Sequence, residues 1–146
     1  MIVIDDNIIN DMKLARELIL LSKNSIVVIK NGVVLAKKIG VGLKPILEVI
    51  DELGKDIRGS IIGDKILGKA SSLLCVYCNA KGVYSPQSTK TAIAILLKNG
   101  IPIQIDKIIP FIQNKNGDDV CPFEKMIKEV DSPKEAYKIL EKNIMK

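Results

Sequence analysis

The stretch SIVVIKNGVVLA, residues 25–36, contains two compact runs of β-branched and aliphatic residues separated by Asn31-Gly32. Asparagine and glycine both accept positive φ angles, which a two-residue turn between paired strands requires. The stretch therefore predicts an antiparallel β-hairpin with strands at residues 25–30 and 33–36. These are the first two strands of a sheet, and the segments on either side of them are expected to cover it.

Helices are predicted on both sides of the hairpin. Before it, apolar residues recur at intervals of three and four between residues 5 and 22, with Asp5 or Asp6 as the cap. After it, Pro45 suits a first helical turn, and the helix that it begins ends near Gly54. The predicted buried residues of the first helix are Ile8, Met12, Ala15 and Ile19.

The second half of the chain continues the alternation of helices and strands. Residues 63–77 predict one long buried helix, and residues 82–84 a short strand. A helix capped by residues 85–88 and closed at Asn99-Gly100 and an edge strand at 101–105 follow. Two final helices are predicted after them, the first from Cys121-Pro122 to about Val130 and the second capped within residues 131–135. The predicted fold class is therefore α/β, with a mixed sheet in a single domain that spans residues 1–146.

Charge and composition narrow the range of partners. The 146 residues carry a formal net charge of +5, but Arg16 and Arg58 are the only arginines, and the aromatic residues are three tyrosines and two phenylalanines. Nucleic-acid binding is therefore not expected, because arginine reads guanine and phosphate, and aromatic rings stack on bases. An anionic small molecule fits the balance better, and a lysine-rich solvated surface is the simpler alternative.

The three cysteines and the start of the chain predict a cytoplasmic protein with reduced thiols. Cys75, Cys78 and Cys121 are an odd number, and no basic segment followed by an apolar one opens the chain. No apolar run approaches the length of about 18 residues that a membrane span needs. The Cys75–Cys78 spacing also suits a redox or zinc pair, but buried packing at the end of an apolar helix is the preferred interpretation.

Four blocks of the sequence, in this order, resemble those of a known family: residues 42–45, 55–59, 63–70 and 114–124. The family is a small prokaryotic domain of unknown function that is described as having a cytidine-deaminase-like fold. The resemblance covers roughly residues 12–140. It implies a three-layer α/β/α sandwich around a mixed five-stranded sheet, and it brings no established activity.

The resemblance also locates a site and excludes one chemistry. In the deaminase fold the zinc site lies at the starts of two neighbouring helices, which would fall near residues 63–65 and 85–88. The chain has no histidine, and Ser85 and Ser88 keep the spacing of two cysteine ligands without their thiolates. Because a serine hydroxyl is a poor zinc ligand beside sulfur, zinc-dependent deamination is excluded and no metal or other cofactor is expected.

A candidate ligand site lies in the block from Gly63 to Lys69. If a helix starts here, its free amides suit an anion, and Lys65 and Lys69 lie on one face of that helix. Gly68 within the helix then indicates a close approach of backbone or ligand. The alternative is a capped helix at a tight crossing. The candidate ligand-binding residues are Lys44, Asp56, Arg58, Gly63, Asp64, Lys65, Gly68, Lys69, Ser85, Ser88, Cys121 and Glu124.

Three functional hypotheses remain open. The first is a deaminase-fold protein without a zinc site that binds a nucleotide-like or other phosphate-bearing small molecule. The second is a non-catalytic interaction module that binds a protein partner or self-associates into a homo-oligomer. The third is a metal-free enzyme that uses Asp64, Lys65 and Ser88. Cys121, at a predicted helix start, is the thiol to test for reactivity, although a start-of-helix proline next to it explains the block equally well.

Overall fold

In a computed structural model, which describes residue 2 and residues 4–145, five strands form one mixed sheet. The strands are β1 (Ile26–Lys30), β2 (Val33–Lys38), β3 (Ile61–Asp64), β4 (Gly82–Ser88) and β5 (Ile103–Ile108). Their order across the sheet is β2-β1-β3-β4-β5. β1 is antiparallel to both of its neighbours, whereas β3, β4 and β5 run parallel to one another. The predicted α/β class with a mixed five-stranded sheet is therefore confirmed.

Six helices of the described residues flank this sheet. They are α1 (Asp6–Leu21), α2 (Lys44–Leu53), α3 (Lys69–Tyr77), α4 (Lys90–Lys98), α5 (Pro122–Met126) and α6 (Pro133–Ile144), and a 3₁₀ turn (Gly54–Ile57) follows α2. None of them is long and apolar enough to cross a bilayer.

The hairpin formed by β1 and β2 is confirmed. Asn31 and Gly32 have φ angles of 49° and 80°, the left-handed values that the two-residue turn requires. Beyond a bulge at Val28–Ile29, the strands continue in register to Ile26 opposite Lys38. β1 then uses its other edge to pair with β3, which places the hairpin at one side of the sheet.

Among the described helices, α1 covers one face of the sheet by itself. Asp5 caps this helix by accepting a hydrogen bond from the Ile8 amide at 2.9 Å. As predicted, Ile8, Met12, Ala15 and Ile19 are its buried apolar residues, and they pack on Val27, Ile29, Ile61 and Tyr84 of the sheet. Gly63 lies directly beneath this helix, since an added Cβ would be 2.7 Å from Val27 Cγ2 and 3.1 Å from Ile19 Cγ1.

The opposite face carries the larger core. Side chains of α2, α3 and α4 pack there on Ile26, Val28, Ile62 and Val83, and α6 packs on the outside of α3. Pro45 lies in the first turn of α2, and the helix ends at Gly54 with a φ of 53°, as predicted. Helices on both faces of the sheet make the predicted three-layer arrangement.

The prediction of a single helix over residues 63–77 is wrong. Residues 61–64 form β3, a bend follows, and α3 begins only at Lys69. β3 is a central strand that pairs with β1 and β4, so it is apolar on both faces and lacks the alternation that marks a half-buried strand. A short apolar run of this kind cannot be distinguished from a buried helix by its periodicity.

The predicted helix start at Ser85-Pro86-Gln87-Ser88 is also wrong, because these residues are the second half of β4. β3 pairs with β4 only as far as Tyr84, so Pro86 lies beyond the point where an amide donor is needed on that side. Thr89 is the cap of α4, and its hydroxyl accepts from the Ala92 amide at 3.2 Å.

The predicted end of α4 and the predicted cap of α6 agree with the structure, whereas the predicted end of α5 does not. Gly100, with a φ of 73°, closes α4 as expected, and β5 lies at the edge of the sheet. Ser132 caps α6 through the Glu135 amide. α5 begins at Pro122 as predicted but ends at Met126, short of the predicted end near Val130.

Candidate functional site

A cleft of about 830 Å³ lies beside the carboxyl end of β3. Crevices outside the carboxyl ends of strands are the usual ligand sites of open α/β sheets. Its walls are the loop before α2, the bend before α3 and the segment that leads into α5. The lining residues are Ser25, Gly40, Val41, Gly42, Leu43, Lys44, Asp64, Lys65, Ile66, Ser71, Ile112, Gln113, Asn114, Lys115, Asn116, Cys121, Pro122, Phe123, Glu124 and Ile144.

Ser25 fixes the first wall of the cleft. Its hydroxyl donates to the Gly40 carbonyl at 2.6 Å and accepts from the Gly40 amide at 3.0 Å. The Lys65 amide donates to the Ser25 carbonyl at 3.0 Å, so the same residue also positions the bend that follows β3. The two walls are therefore held together by one serine at the start of β1.

Asp64, the last residue of β3, is half-buried and lines the cleft. Burial raises its pKa to about 7, and hydrogen bonds from the Ile66 amide and the Ser71 hydroxyl oppose this rise. Ser71 is itself buried in the first turn of α3. The carboxyl therefore changes charge near neutral pH, and it can donate a hydrogen bond in one form and only accept in the other.

Glu124 caps the start of α3, although it is distant from this helix in the sequence. Its two carboxylate oxygens accept from the amides of Lys69 at 2.9 Å and Ala70 at 2.8 Å. Burial raises the pKa of this carboxyl, whereas the two amide bonds and the charge of Lys69 lower it. The helix start that the sequence offers as an anion site is thus occupied by a carboxylate of the protein itself.

Gly68 makes this contact possible. It is the residue that precedes α3, and its backbone is extended. An added Cβ would collide with Glu124 Oε1 and Ile112 Cδ1, and it would lie 2.9 Å from Glu124 Cδ. The close group at Gly68 is therefore the side chain of Glu124 and not the backbone or ligand that the sequence predicts, and Gly68 precedes α3 and does not lie within a helix.

The lysines of the predicted site have different roles. Lys44 and Lys65 are exposed and line the cleft. The ammonium of Lys69 donates instead to the Lys128 carbonyl at 2.7 Å and to Asp131 at 3.1 Å. The prediction that Lys65 and Lys69 share one face of a helix is wrong, because Lys65 lies in the bend before α3 begins.

Seven of the predicted site residues are not among those that line the cleft, including Gly68 and Lys69 at the start of α3. Asp56 and Arg58 lie before the first residue of β3 and Asp64 is its last, and among the described residues no salt bridge joins any two of the three. Ser85 and Ser88 are buried in β4, where their hydroxyls donate to the carbonyls of Gln87 and Thr89. Gly63 packs beneath α1.

The cysteines separate into a buried pair and one residue in the cleft. Cys75 and Cys78 are buried in and just after α3, and burial raises the pKa of both thiols, that of Cys78 to about 12. Cys121 is half-buried and lines the cleft where α5 begins. Within residues 2 and 4–145, no three histidine, cysteine, aspartate or glutamate side chains cluster in a way that could hold a metal ion.

Sequence reasoning missed several residues of the cleft. Ser71 and the apolar walls formed by Ile66, Ile112 and Phe123 line it without having been candidates. The one available signal for Ser71 was that it is a polar residue, two positions after Lys69, in an otherwise apolar helix. Ile112 carried no signal, since its position depends on how the segment between β5 and α5 folds back over α3.

The strand order, the helices on both faces and the cleft at the end of β3 define the class of this protein as an α/β domain with a ligand-sized cleft. Residues 15–144 match the sequence profile of the TM1506 family, described as a domain of unknown function (DUF1893). The chain belongs to this family, as the resemblance of its sequence blocks implied. No curated protein sequence is significantly similar to it.

Solved structures agree with this assignment. The crystal structure of a DUF1893 family protein (TM1506) from Thermotoga maritima is 24% identical, with 98% of this chain and 94% of that chain covered and a TM-score of 0.86. The two proteins share one fold.

Weaker similarity extends to RibD of Acinetobacter baumannii (15% identity, 66% of this chain and 35% of that chain, TM-score 0.49). It also extends to dCMP deaminase of the cyanophage S-TIM5 (18% identity, 73% of this chain and 100% of that chain, TM-score 0.47). These two similarities are too distant to carry a statement about the fold or the activity of this chain.

Proposed function

We propose that this protein binds a phosphate-bearing, nucleotide-like small molecule in the cleft beside the carboxyl end of β3, within the cytoplasm. The observation that carries the proposal is the cleft itself, whose volume of about 830 Å³ lies in the range of small-molecule sites. A half-buried carboxyl lines the cleft at the end of β3, apolar side chains form much of its walls, and lysines lie on its rim.

Each part of the cleft suits a different part of such a ligand. Ile66, Ile112 and Phe123 offer apolar surface to the body of the molecule. Asp64 offers a hydrogen bond to a polar edge, and its neutral form avoids an unpaired charge next to that surface. Lys65 and its neighbours on the rim offer positive charge to a phosphate without the geometric demands of arginine.

The phosphate is assigned to the rim because the start of α3 is already occupied. Glu124 satisfies the amides of Lys69 and Ala70, and the ammonium of Lys69 is directed toward Asp131. The exposed lysines that line the cleft and have no such engagement in the described contacts are Lys44, Lys65 and Lys115.

Native mass spectrometry of the purified protein is the first test. A ligand carried through purification adds mass in the native spectrum and not after denaturation, and its value identifies the chemical class. A panel of nucleosides and their mono-, di- and triphosphates is then screened by thermal shift. Titration calorimetry gives a dissociation constant for each hit. A bare native mass together with no stabilising compound in the panel would refute the proposal.

Substitutions locate the site. Lys65→Ala and Asp64→Ala should each weaken binding about tenfold, the effect of losing one charged or polar contact of about 1.4 kcal/mol. Lys13→Ala is the matched control, since Lys13 is an exposed lysine on α1 across the sheet. If the Lys65 variant binds the ligand as tightly as the Lys13 variant and the wild type do, the phosphate is not bound by Lys65 at the rim of this cleft.

A second candidate function, self-association or binding of a protein partner, is favoured by one observation. Ile39, Val41 and Phe111 lie at or beside the two described cavities and are 75%, 73% and 41% exposed. Val41 lines the cleft and Phe111 lines the adjacent cavity, and contiguous exposed apolar patches mark interaction surfaces more often than isolated side chains do. Native stoichiometry above one that falls to one in Val41→Asp would support this function, and a monomer at all concentrations would exclude self-association.

A further inference from the structure

The segment between β5 and α5, residues 110–121, forms one wall of the cleft. Ile112, Gln113 and Asn114 line both the cleft of about 830 Å³ and an adjacent cavity of about 390 Å³. Movement of this segment would therefore change the size and exposure of both cavities together.

The hydrogen bonds of this segment run almost entirely within it. The Asn114 amide donates to the Asp119 carbonyl at 2.8 Å, and the Cys121 amide donates to the Ile112 carbonyl at 2.8 Å. Gln113 and Val120 form an isolated antiparallel bridge. Residues 112–121 are thus a small hairpin that completes its own backbone bonding and does not depend on the sheet for it.

The hairpin is joined to α5 by the ion pair of Asp119 with Lys125 and by the Lys125 amide, which donates to the Cys121 carbonyl at 3.1 Å, so residues 112–126 form one unit. Two sets of hydrogen bonds join this unit to the rest of the protein. At one end, the Ile109 amide donates to the Ser88 carbonyl at 2.9 Å, which continues the pairing of β5 with β4. At the other end, Glu124 accepts from the amides of Lys69 and Ala70. The second attachment is made by one side chain, and the absence of a Cβ at Gly68 leaves the space that it needs.

We infer that residues 112–126, the hairpin together with α5, form a lid over the cleft and that Glu124 is the latch that holds it closed. The lid turns between residues 109–111 and the buried Ile127, and opening breaks the two bonds of Glu124 while the internal bonds of the hairpin persist. A unit that bonds mainly to itself opens at a lower free energy than the sheet that carries it. The role of the lid in ligand entry rests on the proposed function, but its motion does not.

The cysteines provide a built-in reporter for this motion. Cys121 lies on the lid and is half-buried, whereas Cys75 and Cys78 are buried in the core against α3. Opening of the lid exposes Cys121 alone, and global unfolding exposes all three thiols. The rates at which the three react therefore distinguish a local motion from loss of the fold.

The test is alkylation by iodoacetamide of the ligand-free protein under native conditions, followed residue by residue with peptide mass spectrometry. In Glu124→Ala, Cys121 should react about tenfold faster or more than in the wild type, since two hydrogen bonds to a charged group are lost. Glu124→Gln, which keeps one uncharged acceptor, should lie between them. Glu129→Gln, an exposed glutamate beyond α5, is the control and should react as the wild type does.

Two results would overturn the inference. One is an unchanged Cys121 rate in both Glu124 variants. The other is a parallel increase at Cys75 and Cys78, which would mean that Glu124 stabilises the whole fold and does not act on a lid. Because no ligand is present, neither result depends on whether the cleft binds a phosphate-bearing molecule, so failure of the lid and failure of the proposed function are distinguishable.

Discussion

Replacing Gly68 with alanine tests the contact on which the start of α3 depends. Gly68 has an extended backbone, with a φ of −123°, that any residue adopts, so alanine brings no backbone strain. Its Cβ would, however, collide with Glu124 Oε1 and Ile112 Cδ1. The Ile112 atom is the end of a flexible side chain and can move, whereas Glu124 can move only by giving up its bonds to the amides of Lys69 and Ala70.

Two opposing effects set the size of the change. Loss of a helix cap costs about 0.5–2 kcal/mol, and bonds to a charged group place this cap toward the upper end of that range. A glycine-to-alanine change at a compatible backbone position returns about 0.4–1 kcal/mol by restricting the unfolded chain. We expect Gly68→Ala to lower the free energy of unfolding by about 1 kcal/mol.

Urea unfolding followed by circular dichroism measures this change, which should lower the midpoint by about 0.5 M for a protein of this size. A double-mutant cycle with Glu124→Ala isolates the cause. In that background the carboxylate is absent, so Gly68→Ala should become neutral or stabilising. A stabilising effect of Gly68→Ala in the wild type, or costs that simply add in the cycle, would refute this account of Gly68.

Three further predictions concern other parts of the fold. Burial raises the pKa of Asp64 from 3.8 to about 7, so the folded state binds more protons and its stability falls as the pH rises between these values. Asp64→Asn should reduce this loss of unfolding free energy by about 1–2 kcal/mol. The reduction is smaller than the pKa shift alone implies, because solvent in the cleft screens the charge. Gly63→Ala should cost about 1–3 kcal/mol, because its Cβ would be 2.7 Å from Val27 Cγ2 beneath α1. Tyr84→Phe should cost about 1 kcal/mol, because the buried Tyr84 hydroxyl donates to Asp106 at 2.5 Å.

Chemical unfolding measures all three, each against a control. The Asp64 variant is compared with the wild type at about pH 4 and pH 7.5, and equal differences at the two values would contradict the raised pKa. Ile9→Ala, on the exposed side of α1, should stay within about 0.5 kcal/mol. Tyr77→Phe is the control for Tyr84→Phe, because it removes a hydroxyl and keeps the ring stacked on Tyr137, with 4.3 Å between the ring centroids. If both variants lower the free energy of unfolding equally, the hydrogen bond to Asp106 does not explain the effect at Tyr84.

Local signals determined much of the architecture from the sequence alone. The turn at Asn31-Gly32, the caps Asp5 and Ser132, and the helix end at Gly100 were each predictable because the residues that decide them are neighbours in the chain. The absence of histidine likewise limits the metal chemistry through composition alone. Turns, caps and helix ends depend on the backbone conformation and side-chain chemistry of residues a few positions apart in the chain, so the sequence alone predicts them.

The tertiary structure decided the rest, and it changed the interpretation of the site. β3 is a strand because β1 and β4 bond to both of its edges, and nothing within residues 61–64 says so. The start of α3 is closed by Glu124, which lies 55 residues from Lys69 in the chain. Asp64 titrates near neutral pH because other segments bury it. Pairing, burial and capping between distant residues depend on the closed fold, and sequence spacing does not encode them.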